Sequence, residues 1–467
     1  MSLPRSAMQV SPRPSLRKAT GAASVSLIRP ALWAGLSLAS ILAAAALSWQ
    51  LASVWTILLT LVWSLYDPYL FAVLFFPALI PFGNVQISEG ISFTILRAVV
   101  IIVALGCLLK SRRLIKGIKA IPLYLWLGLV GLLLAYVLSL LANDLPADAF
   151  ERVGVQLMRI VQVIVIFVSV YQLPDGRMAL LGLTLAGVSV LMTGTYLGIT
   201  TDSWMTARST FEPIGSLFGM TLKVTNTGAF VVMSGLAAMT LAGMTTNRMR
   251  RSLLLILGTA ILFASLASGR REALVAIVLA FVLIPFVSGQ FRRGILLGGI
   301  VATTAVLAYW AGPLREFLEQ RESIASEFTG GGTGRMPLLQ RSLELWSESP
   351  VFGYGPGTHS DILRVNSDLG EGGVAAHNSF TGSLVEAGVL GGLAVVILAL
   401  GFIRDWIRCV LAARRHAIPG WPSLMLASAA SIFTIMIVGD FVNHSGYMLL
   451  FGLLSAWMVR TLEEARR

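Results

Sequence analysis

From about residue 31 onward the chain alternates long apolar runs with short basic connections, and that alternation leaves few folds open. A helix needs about 20 apolar residues to cross the hydrocarbon of a bilayer. Runs of that order lie near 31–48, 51–66, 68–83, 93–109, 121–142, 154–171, 178–199 and 223–244. Others lie near 252–268, 272–288, 294–312, 380–403, 421–441 and 445–460. Inside lipid each segment must satisfy its own backbone polar groups, so each run is expected to be a helix. The expected fold class is an all-α polytopic membrane protein of about 12–14 transmembrane helices, fourteen in the fullest threading.

Composition agrees. Of 467 residues, 56% are hydrophobic and only 12% charged, with mean hydropathy +0.80. A soluble domain carries roughly 25% charged residues. The net charge of +12 raises nucleic acid as a partner, but the basic residues sit between the apolar runs. That is the positive-inside pattern, which sets orientation and argues for a lipid bilayer and against nucleic acid. The clusters are Lys110, Arg112, Arg113, Lys116 and Lys119; Arg248, Arg250 and Arg251; Arg292 and Arg293; and Arg404, Arg408, Arg414 and Arg415. Threading fourteen spans puts all four clusters and both termini in the cytoplasm. Arg5, Arg13, Arg17, Lys18 and Arg29 precede the first run, as in a signal peptide. That run is longer than a typical signal h-region and a second follows at once, so it reads as an uncleaved span. Cys107 falls in an apolar run and Cys409 in a basic loop, which indicates neither a disulfide framework nor a metal cluster.

Four regions follow: a disordered cytoplasmic segment 1–30, a transmembrane region 31–312, a large external loop 313–376, and C-terminal helices with a short tail, 377–467. Within the loop, Leu314, Phe317, Leu318, Ile324, Ala325 and Phe328 fall mostly at helical spacing. A second amphipathic helix has Met336, Leu339, Leu343 and Trp346 on one face. Both are expected to lie on the outer membrane surface. Pro350 ends the second, and Gly353 to Gly357 make a tight turn.

The external side carries arginines that depart from the positive-inside rule: Arg208, Arg270, Arg271, Arg315, Arg321, Arg335, Arg341 and Arg364. Arg270 and Arg271 share a short loop between two apolar spans. Two guanidiniums at a membrane interface need anionic partners. Their planar forks suit lipid phosphate and a substrate diphosphate equally. Of the four histidines, His416 reads as solvated, His359 as a surface residue and His444 as a helix-junction residue. His377 opens the span after the long loop. A neutral imidazole there can take a proton from a hydroxyl, or simply make an interfacial hydrogen bond. Arg97 and Arg159 lie within apolar runs, where structural pairing competes with function. No P-loop, GxSxG, HExxH or paired Cys/His cluster appears, so neither nucleotide energy nor a dedicated metal or other cofactor is indicated.

The stretch from Gly334 to about Leu400 carries a resemblance. Thr333-Gly334-Arg335 precedes a tryptophan-bearing helix, and Ser349-Pro350-Val351-Phe352-Gly353-Tyr354-Gly355-Pro356-Gly357 follows it. Then come His377-Asn378-Ser379-Phe380 and Glu386-Ala387-Gly388-Val389-Leu390-Gly391. This resembles the bacterial O-antigen ligase/polymerase superfamily signature "SGR … W … PllGyGpG … HNsyl … elGllG". Ser268 to Leu274 resembles the family's "SRgal" turn, with Arg271 on its arginine and Glu272 on a common glycine. Arg208 to Phe211 resembles its "R.tGtf" segment, with Ser209-Thr210 in place of Thr-Gly.

The resemblance implies a glycosyltransferase-C-like helical fold in the bacterial inner membrane. It implies a metal-independent inverting transfer of glycan from undecaprenyl diphosphate to an acceptor on the periplasmic side. It places His377, Arg271 and Arg208 as catalytic residues, and Arg270, Arg335, Arg341 and Asn378 as substrate-binding residues. The implied partners are the lipid-linked glycan donor, a glycan or lipid acceptor, a chain-length regulator and a flippase. An exopolysaccharide or O-antigen polymerase is the expected activity. A ligase acting on lipid A-core or protein, and a lipid-linked glycan transporter, are the alternatives. A transporter should show inverted repeats and broken helices at mid-membrane, and no clear repeat is visible.

Overall fold

The computed structural model describes residues 32–37, 39–41, 43–44, 49–79, 95–143, 148–173, 175–201, 216–217, 220–221, 228–267, 271–289, 292, 335–359, 378–415, 421–438 and 445–466. The apolar runs are helices. In chain order they are α1 (Trp49–Tyr66), α2 (Pro68–Leu79), α3 (Ile95–Leu109), α4 (Ser111–Lys119), α5 (Leu123–Ala142), α6 (Asp148–Gln172) and α7 (Arg177–Thr201). There follow α8 (Gly228–Met244), α9 (Arg248–Ala267), α10 (Arg271–Val287), α11 (Arg335–Glu348), α12 (Ser379–Arg415), α13 (Trp421–Val438) and α14 (Ser445–Arg466). Among the described residues the one strand pairing is a two-residue antiparallel ladder, Ser216–Leu217 on Met220–Thr221. The fold is therefore all-α, as the sequence implies. The expected segment 1–30, the span 294–312 and the first loop helix near 314–328 lie outside the described residues.

Three described helices are long and apolar enough to cross a membrane: Leu123–Ala142, Ala149–Gln172 and Ser379–Arg415. The packing shows how such helices meet lipid. On α5 the residues Leu123, Leu127, Val130, Leu134, Leu138 and Leu141 form an exposed stripe. In water that stripe would be an aggregation liability; in a bilayer it faces acyl chains. The opposite face buries Leu125, Leu129, Leu132 and Tyr136 against α12. Small residues let the two backbones approach. A Cβ at Gly401 would overlap the Tyr124 ring, and one at Gly128 the Leu398 side chain. By contrast α2 is apolar all round and almost wholly buried, which marks an internal helix. Its length of about 18 Å is too short to span hydrocarbon alone.

The basic clusters correct one expectation. They were expected in loops, yet Arg404, Arg408, Arg414 and Arg415 ride on the last turns of α12, and Arg248, Arg250 and Arg251 open α9. Lys110 to Lys119 adds its own amphipathic helix, α4. Helical hydrogen bonding continues past the apolar window because long cationic side chains reach polar surroundings from the helix surface. At the end of α12 they also complement the helix dipole.

Those same residues set the polarity of the bundle. Arg414 donates from Nη2 to the carbonyl of Phe286 and from Nε to that of Val287 at 3.4 Å. The C-terminal ends of α10 and α12 thus meet, so the two helices run in the same sense. Their N-termini, Arg271 and Ser379, lie toward the other end of the bundle.

Candidate functional site

The end of the bundle opposite the basic clusters is built around a break in α12. Helical geometry fails at Ala387 (φ −132°, ψ 15°) and Gly388 (φ 64°, ψ −160°), leaving a half-helix Ser379–Glu386 ahead of the long helix. A single unbroken span was expected there. The Gly388 conformation is open only to glycine. The break exposes backbone groups that must find partners. The glycine-rich loop after α11 supplies them. Tyr354 N donates to Val385 O at 2.8 Å, Gly355 N to Glu386 O at 3.0 Å, and Val389 N to Pro350 O at 2.9 Å.

The loop fits the break because of its own glycines. A Cβ on Gly353 (φ +67°) would stand 2.5 Å from Val385 O and 2.7 Å from Ala387 N. One on Gly388 would collide with the Val351 carbonyl. The two glycines therefore interlock, each occupying the space beside the other's backbone.

Helix α5 and its C-terminal cap residue, Asn143, grip this joint with three polar side chains. Tyr136 donates to Glu386 Oε2 at 3.0 Å, Ser139 to Glu386 O at 2.7 Å, and Asn143 Nδ2 to Gly353 O at 3.2 Å. From α6, Arg152 Nη1 donates to Gly357 O. Arg97 of α3 pairs with Glu151 of α6 at 3.6 Å, so this intramembrane arginine has a structural partner.

Helix α11 is fastened to the same joint. Leu345 and Val385 form a small buried cluster with Trp346 and Tyr354. Ser342, 1% exposed, hydrogen-bonds His359 Nε2 at 2.9 Å. This corrects two expectations. His359 is 6% exposed and not a surface residue, because the turn at Gly353 to Gly357 folds it under α11. The buried face of α11 carries Ser342 and Leu345, while Leu343 is exposed, because the helix docks on α12. Tyr354 donates to Glu348 Oε2 at 2.7 Å. Burial, and then that carboxylate, push the Tyr354 phenol above its ordinary range, with Arg341 opposing.

Of the site residues expected from sequence, Arg341 and Asn378 have described side chains. Asn378 caps α12: its Oδ1 accepts from Phe380 N at 2.9 Å and from Thr381 N at 3.3 Å. Arg341 on α11 pairs with Glu344 at 3.0 Å and is about one-third exposed. Arg271 and Arg335 are the first residues of α10 and α11; their side chains lie outside the described set. Arg208, Arg270 and His377 lie outside the described residues. His377 directly precedes the cap Asn378. Arg271, Arg335 and Asn378 thus each stand at a helix N-terminus, where the backbone favours anions.

Sequence reading missed Tyr136, Ser139 and Asn143, and met Glu386 only within the family motif. The first three carried a signal: polar residues at i, i+3 and i+7 in an otherwise apolar run.

Residues 253–396 match a family model described as O-antigen ligase. The match runs from within α9 to the middle of α12 and encloses the interlocked joint. The match supports the O-antigen ligase/polymerase superfamily for this segment. No curated protein matches the chain.

Proposed function

We propose that this protein is a membrane glycosyltransferase of the bacterial inner membrane. It transfers a glycan from undecaprenyl diphosphate to an acceptor glycan on the periplasmic side, as an exopolysaccharide or O-antigen polymerase. The observation that carries the reading is the family match over 253–396, which spans Arg270, Arg271, Arg335, Arg341, His377 and Asn378. The transporter alternative finds no support in that match.

In this reading both termini and the basic clusters are cytoplasmic, and the joint is at the periplasmic end. Arg208 and Arg271 hold the donor diphosphate, and Arg270, Arg335 and Arg341 add positive charge around it. His377 accepts the proton of the acceptor hydroxyl as its oxygen attacks the anomeric carbon. The bond from that carbon to the phosphate oxygen breaks, and polyprenyl diphosphate leaves. Fixed guanidiniums stabilise the charge that develops on the leaving group. Direct displacement inverts the anomeric carbon. Asn378, at the capped N-terminus of α12, lies next to His377 in the sequence and contacts the substrate. A ligase would use the same donor site with lipid A-core or protein as acceptor, so the acceptor alone separates the two.

The test is Arg271→Ala and His377→Ala in cells that need the glycan. Loss of glycan extension with normal protein abundance is expected. Wild-type extension in either variant sinks the assignment.

A further inference from the structure

The break in α12 is satisfied without the Glu386 side chain. Tyr354 N, Gly355 N and Ser139 Oγ donate to the carbonyls it opens, and Val389 N finds Pro350 O. The carboxylate is a separate feature. Glu386 is 4% exposed, and its Oε2 takes the Tyr136 hydroxyl at 3.0 Å. Burying a carboxylate in a membrane protein is costly, and such groups tend to be kept for function and not for stability.

Its location narrows the choice. Glu386 is the last residue of the half-helix Ser379–Glu386. The other end of that half-helix is capped by Asn378, with His377 next along the chain. The half-helix is about 12 Å long, so a tilt of about 10° at its base moves its tip by about 2 Å. Reacting groups tolerate misplacement of roughly 0.5 Å. A small change at Glu386 therefore suffices to take the tip out of register with a bound donor.

We propose that Glu386 is a positioning residue. Tyr136 holds its carboxylate, and the pair fixes the angle of the half-helix whose N-terminal cap, Asn378, follows His377 in the sequence. The effect on turnover rests on the transferase reading; the effect on the half-helix does not.

The test uses full-length protein in detergent, as Glu386→Gln, Tyr136→Phe and the double variant. Two quantities are measured: hydrogen exchange of the 379–386 amides against those of 389–415, and kcat and KM for a polyprenyl-diphosphate-linked glycan. Each single variant should raise exchange in 379–386 about tenfold and leave 389–415 unchanged. Each should lower kcat at least tenfold with donor KM within about twofold. The double variant should lose less than the two single variants combined, because the two residues are coupled. Unchanged exchange in both single variants overturns the proposal. So does a raised donor KM at unchanged kcat, which would put the side chain on the substrate. Should Glu386→Gln fail to fold, Tyr136→Phe removes the same bond while keeping the carboxylate. A wild-type protein that makes no product refutes the transferase reading, and the exchange data still decide whether Glu386 holds the half-helix.

Discussion

The hydroxyl of Tyr136 lies 3.0 Å from Oε2 of Glu386, a contact between residues 250 positions apart in sequence. It joins the lipid-facing helix α5 to the break in α12. Around it sit the residues that close the end of the bundle away from the basic clusters: Ser139 from α5, Asn143 at its C-terminal cap, Arg152 from α6, and the loop from Pro350 to Gly357. The most specific motifs of the chain, Gly353 to Gly357 and Glu386 to Gly391, are thus two sides of one joint. In the described residues their first role is architectural.

Gly388→Ala and Gly353→Ala should each destabilise the protein by about 1–3 kcal/mol, because a Cβ there meets a backbone carbonyl at positive φ. Gly154→Ala is the control, since nothing lies within 4 Å of its Cβ position. Thermal unfolding in detergent, followed by size exclusion, should show the first two melting well below wild type and the third at or slightly above it.

Ser342→Ala should lower stability by about 1–3 kcal/mol, since it strips a buried partner from His359. The cost falls on the docking of α11 and not on any proposed catalytic group. Activity per folded molecule should stay within about twofold of wild type. A loss of turnover with an unchanged melting temperature would instead put the Ser342–His359 pair in the chemistry.

Arg152→Ala should free the glycine loop. Its guanidinium donates to Gly357 O and fills the space beside a glycine at φ +72°. Limited proteolysis should cut after Phe352 or Tyr354 several-fold faster in the variant, with the cleavage pattern elsewhere unchanged.

Topology is testable with added cysteines, because Cys107 and Cys409 are both buried and should label poorly. Ser347→Cys, on the exposed side of α11, should react with a membrane-impermeant thiol reagent in cells with a permeabilised outer membrane. Arg250→Cys should react only once the inner membrane is opened. The reverse pattern would invert the orientation.

Much of this architecture was legible in the sequence. Long apolar runs have one solution in lipid, so α5, α10 and α12 fall close to their expected starts, while α6 begins at Asp148, ahead of the expected 154. The basic clusters marked one end of the bundle, although their helical form was not visible, since a loop and a snorkelling helix end share composition. The break at Ala387–Gly388 was not legible. A glycine inside an apolar run looks like any close-packing glycine until its neighbour, here the Val351 carbonyl, is known. His359 was misread for the same reason: its burial depends on α11 docking over it, a long-range event that local polarity does not encode. The polar stripe Tyr136, Ser139 and Asn143 was readable by its spacing, but its purpose depends on partners more than 200 residues away.

The most direct measurement of the central claim is transfer itself. Purified protein in detergent is given a lipid-diphosphate-linked repeat unit without added metal, beside a His377→Ala control, and products are resolved on a gel. The account predicts a ladder of extended glycan that disappears with His377→Ala. A single shifted band that requires a lipid or protein acceptor would make the protein a ligase. No product from well-folded wild type, with donor movement across a vesicle bilayer in its place, would contradict the account.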